Sequence, residues 1–126
     1  MHHSRVYALL IDSPEAEAGA AAAFWSAVLG ATARPVPREP QFTQLHQALP
    51  GLVTYVQAVD DAPRFHLDIE TDNVEAETAR LLALGAVQVS QWLECHVLRA
   101  PGGHLVCVIP VHSDPAAFSA QAATWP

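Results

Sequence analysis

His66, Asp68 and Glu70 alternate along HLDIET, and on a β-strand that spacing turns all three side chains to one face. One imidazole beside two carboxylates can hydrogen-bond a polar ligand, shuttle a proton, or offer ligands to a divalent ion. Tyr55 and Gln57 in LVTYVQAV add a phenol and an amide, and Cys107 in HLVCVIP adds a thiol. Trp92, near the end of VQVSQW, offers an indole that stacks on a ligand or packs on a second copy of the chain. Plainer readings stand beside these. His66 is a wall residue if an acceptor satisfies it, and Cys107 is a small buried apolar residue, since no cation adjoins it in the sequence to activate a thiolate. Asp68 and Glu70 are solvated, or paired with an arginine such as Arg64, and Trp25, within a helical pattern, is core.

His46, His96, His104 and His112 lack metal-ligand spacing and read as surface or loop residues. No glycine-rich phosphate loop, Cys-x-x-Cys pair or nucleophile elbow occurs.

The elements that must position these residues come in the same order twice. RVYALLID (Arg5 to Asp12) is a strand-length apolar run, and SPEAEAGAAAAFWSAVLG (Ser13 to Gly30) a helix with Ser13 as cap, Pro14 in its first turn and Gly30 at its end. Strands are expected over Ala31 to Val36, Gln41 to His46 and Leu52 to Val59, divided by RPVPREP and LPG. The second half repeats the plan: a strand from His66 to Thr71, a helix from Asn73 to Leu84, and strands over Val87 to Trp92, Cys95 to Arg99 and His104 to Pro110. In that helix Val74, Thr78, Leu81, Leu82 and Gly85 share one face, while Glu75, Glu77 and Arg80 look outward.

Aligning the halves sets ALLIDSPE over HLDIETDN, and both helices end in Leu-Gly-Ala. Alternation then assigns the faces. Leu67 and Ile69 contact the helix, leaving His66, Asp68 and Glu70 on the opposite face, with Ala8, Leu10 and Asp12 as counterparts on the first strand. Aligning Gly51 with Gly103 sets Val53, Tyr55 and Gln57 against Leu105, Cys107 and Ile109. The surface so formed is mixed, polar at one edge and apolar on its floor, as small-molecule sites are.

Composition bounds the function. The 126 residues suffice for one domain, and 51% hydrophobic against 15% charged residues is ample for a core. A net charge of −7, with no lysine and scattered arginines, argues against a nucleic-acid partner, which needs clustered basic surface. No apolar run reaches membrane-spanning length, and the opening Met-His-His-Ser lacks the regions of a signal peptide, so no membrane association and a cytoplasmic location are expected. Cys95 and Cys107 read as thiols, because a core of this size needs no disulfide.

FWSAVLGA in the first half, with HLDIETDNVEAETARLLALGA and VLRAPGGHLVCVIP in the second, resembles the glyoxalase, bleomycin-resistance and dioxygenase (vicinal oxygen chelate) superfamily, in its glyoxalase-like branch. The resemblance runs from about Arg5 to Val111. It implies an α+β fold of two βαβββ modules, about 5–59 and 64–111, forming a curled mixed sheet around a cleft, with 112–126 as a tail and pairing into homodimers. Among metal-using relatives, it implies ligands at Ala8, Tyr55, His66 and Cys107. Only His66 matches the usual histidine, Cys107 stands where a glutamate is usual, and alanine supplies no donor. The resulting expectation is a cleft that binds a small organic molecule through His66, Asp68, Glu70, Tyr55, Gln57, Cys107 and Trp92, with no metal or other cofactor. The alternative is a metal-dependent lyase or isomerase in which His66 ligates a divalent ion. A third possibility, an interaction module, requires bulky side chains to fill the cleft. The alanine-rich tail is expected to form one short helix and to lay Phe118 and Trp125 on the surface of the domain, and homodimer formation is expected from open strand edges and that apolar tail, which need cover.

Overall fold

The first strand, β1, runs His2–Pro14, longer at both ends than the apolar run alone predicts. In the computed structural model, which describes residues 1–126, the chain divides into two compact units, residues 8–66 and residues 1–7 with 67–126. No helix is long and apolar enough to cross a membrane.

In the unit of residues 8–66, β1 leads through a 3₁₀ turn, Glu15–Glu17, into α1 (Ala18–Leu29), followed by β2 (Thr32–Pro35), β3 (Phe42–His46) and β4 (Val53–Val59). Ser13 and Pro14 therefore do not open the helix. Pro14 holds extended backbone angles (φ −51°, ψ 141°), and the Ser13 hydroxyl bonds back to the Ile11 carbonyl at 3.5 Å instead of capping. Gly30 does end α1, in the left-handed conformation (φ 64°) that favours glycine.

The strand order is β2-β3-β4-β1, with β1 and β4 parallel from Ala8↔Val53 to Pro14↔Val59 and β2-β3 and β3-β4 antiparallel. Ile11, Ala22, Leu45 and Val56 form the core, with Trp25 and Leu29 packed against them. Ile11 and Val56 thus face α1. Alternation sends Ala8, Leu10 and Asp12, and their register partners Val53, Tyr55 and Gln57, to the other face.

In the other unit, β5 (Arg64–Thr71, which begins in the first) leads to α2 (Val74–Ala83), β6 (Val87–Trp92), β7 (Cys95–Arg99), β8 (Leu105–Pro110), α3 (Pro115–Gln121) and β9 (Ala123–Trp125). The order is β1-β5-β8-β7-β6, with β9 antiparallel to His2–Ser4. The Asn73 side chain caps α2 by accepting from the Ala76 N–H at 3.0 Å.

Two expectations change here. Glu77 is buried, not outward, because His2 and Arg80 lie against it, His2 with Nε2 3.6 Å from its carboxylate. Leu67, at the point where β5 passes from one unit to the next, is 39% exposed and not buried against a helix as a core residue. The tail is folded in. Phe118 is buried, the Trp125 indole N–H donates to the Ser4 hydroxyl at 2.8 Å, and the Arg80 guanidinium stacks 3.7 Å from the Trp125 ring centre.

Candidate functional site

The site residues of the 8–66 unit gather at the carboxyl end of β1. Asp12 is buried at that end, and its register partner on β4 is Gln57. Its Oδ2 lies 2.7 Å from Nδ1 of His66 and accepts from Nε of Arg64 at 3.1 Å. A carboxylate oxygen only accepts, so His66 carries its proton on Nδ1 and turns Nε2 away from Asp12. The pair therefore fixes both the ring orientation and the tautomer of a buried histidine. The other Asp12 oxygen, Oδ1, is buried without a hydrogen-bond partner.

Arg64 was an expected partner for Asp68 or Glu70. Its guanidinium instead bonds Asp12 through Nε and, through Nη1, Asp61 at 2.6 Å. Partial burial works against its charge, but the two carboxylates hold its pKa above the ordinary value. Asp61 is held below its ordinary value by the Ala62 N–H and by Arg64.

Tyr55 pairs with Leu10 across the β1-β4 ladder and meets Phe42 edge-on at 5.8 Å, so the α1-distal face of this unit carries Leu10, Tyr55, Gln57 and Phe42 around Asp12. A recess of about 310 Å³ also opens beside Asp12, walled by Trp25 and Phe65, whose rings meet edge-on at 6.2 Å, and by Pro14 and Arg64. Trp25 serves both as core and as wall of this recess.

In the other unit, the Asp68 carboxylate and the Cys107 thiol lie within 4.8 Å of each other. Asp68 follows His66 by two positions on the same strand, hence on the same strand face. Cys107 is buried and forms no disulfide with Cys95. Glu70, on that face by alternation, is enclosed by its own unit. It accepts from Arg5 Nε at 2.6 Å, from the Ser113 hydroxyl at 2.6 Å, and from the backbone N–H groups of His112 and Ser113 at 2.8 and 3.0 Å. Burial pushes its pKa up, but these hydrogen bonds outweigh that and hold it below the ordinary value. Trp92 stands 73% exposed on the edge strand β6, with β7 between it and the strand of Cys107.

Four roles went unread in the sequence. Asp12 was placed on the right face, but not as the partner of His66. Arg5 and Ser113 sit 65 and 43 positions from Glu70, and no local pattern joins them. His2, which lies 3.6 Å from the Glu77 carboxylate, is 75 positions from it in sequence. For Asp12 a signal existed: it occupies, in the first module, the position of Glu70 in the second.

The match to the glyoxalase-like domain model spans residues 8–109. The chain belongs to the glyoxalase-like domain family. Among solved structures, this glyoxalase-like domain is similar to a glyoxalase/bleomycin resistance protein/dioxygenase superfamily member from Vibrio splendidus 12B01, with 17% identity, 83% of this chain and 97% of that chain covered, and a TM-score of 0.53. It is likewise similar to methylmalonyl-CoA epimerase from Mycobacterium tuberculosis, with 14% identity, 89% and 91% coverage, and a TM-score of 0.57. At these identities the likeness is one of fold. A search of curated proteins gave no match.

The glyoxalase-like domain can be tested for the divalent ion of its metal-using relatives through its donors. Ala8 is buried and brings no ligand atom, and Tyr55 brings a phenol, a poor ligand at neutral pH. The four positions implied by the resemblance therefore do not make a hard-metal site.

Proposed function

We propose that this glyoxalase-like domain binds a small organic molecule on the α1-distal face of the 8–66 unit, with His66 as its polar anchor and no catalytic metal. The observation that carries the reading is the Asp12–His66 pair. A buried carboxylate that fixes the tautomer and orientation of an imidazole preorganises the ring, which lowers the ordering cost of binding a polar ligand group against it. Leu10 and Tyr55 supply apolar area beside it, and Gln57 supplies an amide that both donates and accepts. Asp68, Glu70, Cys107 and Trp92, the other residues expected to contact a ligand, belong to the other unit, where four hydrogen bonds already hold Glu70. The same Asp–His pair would favour proton transfer at Nε2 in a bound substrate, because Asp12 stabilises the imidazolium.

A second reading has an observation of its own. Metal-bound histidines characteristically donate their other ring N–H to a carboxylate, as His66 does to Asp12, and Asp68 and Cys107 are of ligand type. On that reading the chain is a metal-dependent lyase or isomerase with a softer donor set than its relatives use.

A fragment screen monitored by backbone amide shifts discriminates between them. The proposal expects metal-free protein to bind fragments, with shifts centred on Leu10, Tyr55, Gln57 and His66. Binding that appears only after zinc, nickel or iron is added supports the second reading instead.

A further inference from the structure

From Ala18 to Ala33 the chain has no ionisable side chain, yet α1 lies within this stretch with half its surface exposed. Only Ala22 is fully buried, and Ala18, Ala21, Trp25 and Leu29 complete the inward side. The outward side carries Gly19, Ala20, Ala23, Phe24, Ala27 and Val28, all exposed, with Phe24 at 59% and Val28 at 55%. A surface helix ordinarily sets charged residues there, whereas a helix that is apolar all round is ordinarily covered. Even its one hydroxyl needs no water, since Ser26 Oγ donates to the Ala23 carbonyl at 3.1 Å.

We infer that α1 packs against α1 of a second copy of this chain across a two-fold axis near Ala23. The exposed residues form two rows at spacing four: a shallow one, Gly19, Ala23 and Ala27, and a raised one, Ala20, Phe24 and Val28. A face with one groove and one ridge is self-complementary. In a two-fold pair, Phe24 and Val28 of each copy enter the small-residue row of the other, as i±4 ridges do in the commonest class of helix packing. Charge favours this occupant, because copies that each carry −7 meet here without burying or opposing ionised groups. The exposed area fits as well. The six residues present on the order of 400 Å², about half of the ~800 Å² each partner gives to a standard interface, which matches an apolar centre with a polar rim. The alternative edge, β6, is a poorer template, because a bulge between Gln88 and Ser90 breaks its ladder.

The test is the mass in solution of the full chain by light scattering at 100 µM, for wild type, Ala23→Glu, Ala23→Lys and their equimolar mixture. Wild type is expected at twice the chain mass, each variant alone at the chain mass, and the mixture at twice it again, since Glu and Lys then meet across the axis. Far-ultraviolet circular dichroism confirms folding, and Trp92→Glu on β6 is expected to stay dimeric. A monomeric wild type, a dimeric Ala23→Glu, a mixture that stays monomeric, or a dimer lost in Trp92→Glu overturns the inference.

Discussion

Nδ1 of His66 lies 2.7 Å from Oδ2 of Asp12, 54 positions away in sequence, and both side chains are buried. Because the carboxylate must accept, it fixes which ring nitrogen is protonated, and Asp12→Ala should release that constraint. Long-range proton–nitrogen NMR of the His66 ring should show the Nδ1–H tautomer in wild type and a mixture in the variant. The variant should also lose about 1–3 kcal/mol of stability, from the buried donor left without its acceptor. An unchanged tautomer would show that Asp12 does not orient the ring.

Packing predicts a contrast between two leucines. Leu45 is buried in the Ile11, Ala22 and Val56 cluster, so Leu45→Ala should cost roughly 2–5 kcal/mol in denaturant unfolding. Leu67 is half-exposed, so Leu67→Ala should cost about 1 kcal/mol or less. A larger loss at Leu67 would mean that something covers it in solution.

Glu70 predicts a pH dependence. Its folded pKa lies below the ordinary value of 4.5, so the stability it contributes is fully present above that value and is lost as pH falls through the depressed one. Thermal melts of wild type and Glu70→Gln should therefore differ most, and by a constant amount, above about pH 5.5, and should converge as the solution is acidified toward about pH 2. Divergence on acidification would reverse the sign and refute the assignment.

Metal content follows from donor chemistry. With no ligand atom at Ala8 and a phenol at Tyr55, protein purified without added metal should hold far less than one divalent ion per chain by mass spectrometry. Stoichiometric metal that survives dialysis and disappears in His66→Ala would establish the second reading.

What the sequence made legible follows the range of the forces involved. Alternation placed Leu10, Asp12, Tyr55 and Gln57 on one face, because side-chain period is local, whereas the β1-β4 ladder that pairs Leu10 with Tyr55 and Asp12 with Gln57 was not legible. The bounds of β6 and β7, and Gly30 as the end of α1, were legible for the same reason. The start of α1 was not, since a serine followed by proline suits both a helix cap and the end of a strand, and here β1 extends through both. Nor was the burial of Glu77 beside His2, or the Arg5–Glu70–Ser113 network, because those partners meet only through the fold. Leu67 shows the limit of alternation: it assigns a face, but not whether anything lies against it.

The most direct test of the central claim is a calorimetric titration of the tightest fragment from the metal-free screen into wild type and into folded His66→Ala. Losing one neutral hydrogen bond of about 0.5–1.5 kcal/mol predicts a Kd roughly 2- to 13-fold weaker in the variant, with melting behaviour otherwise preserved. The same Kd in both proteins would contradict the account, because the ligand would then bind without the histidine that Asp12 holds in place.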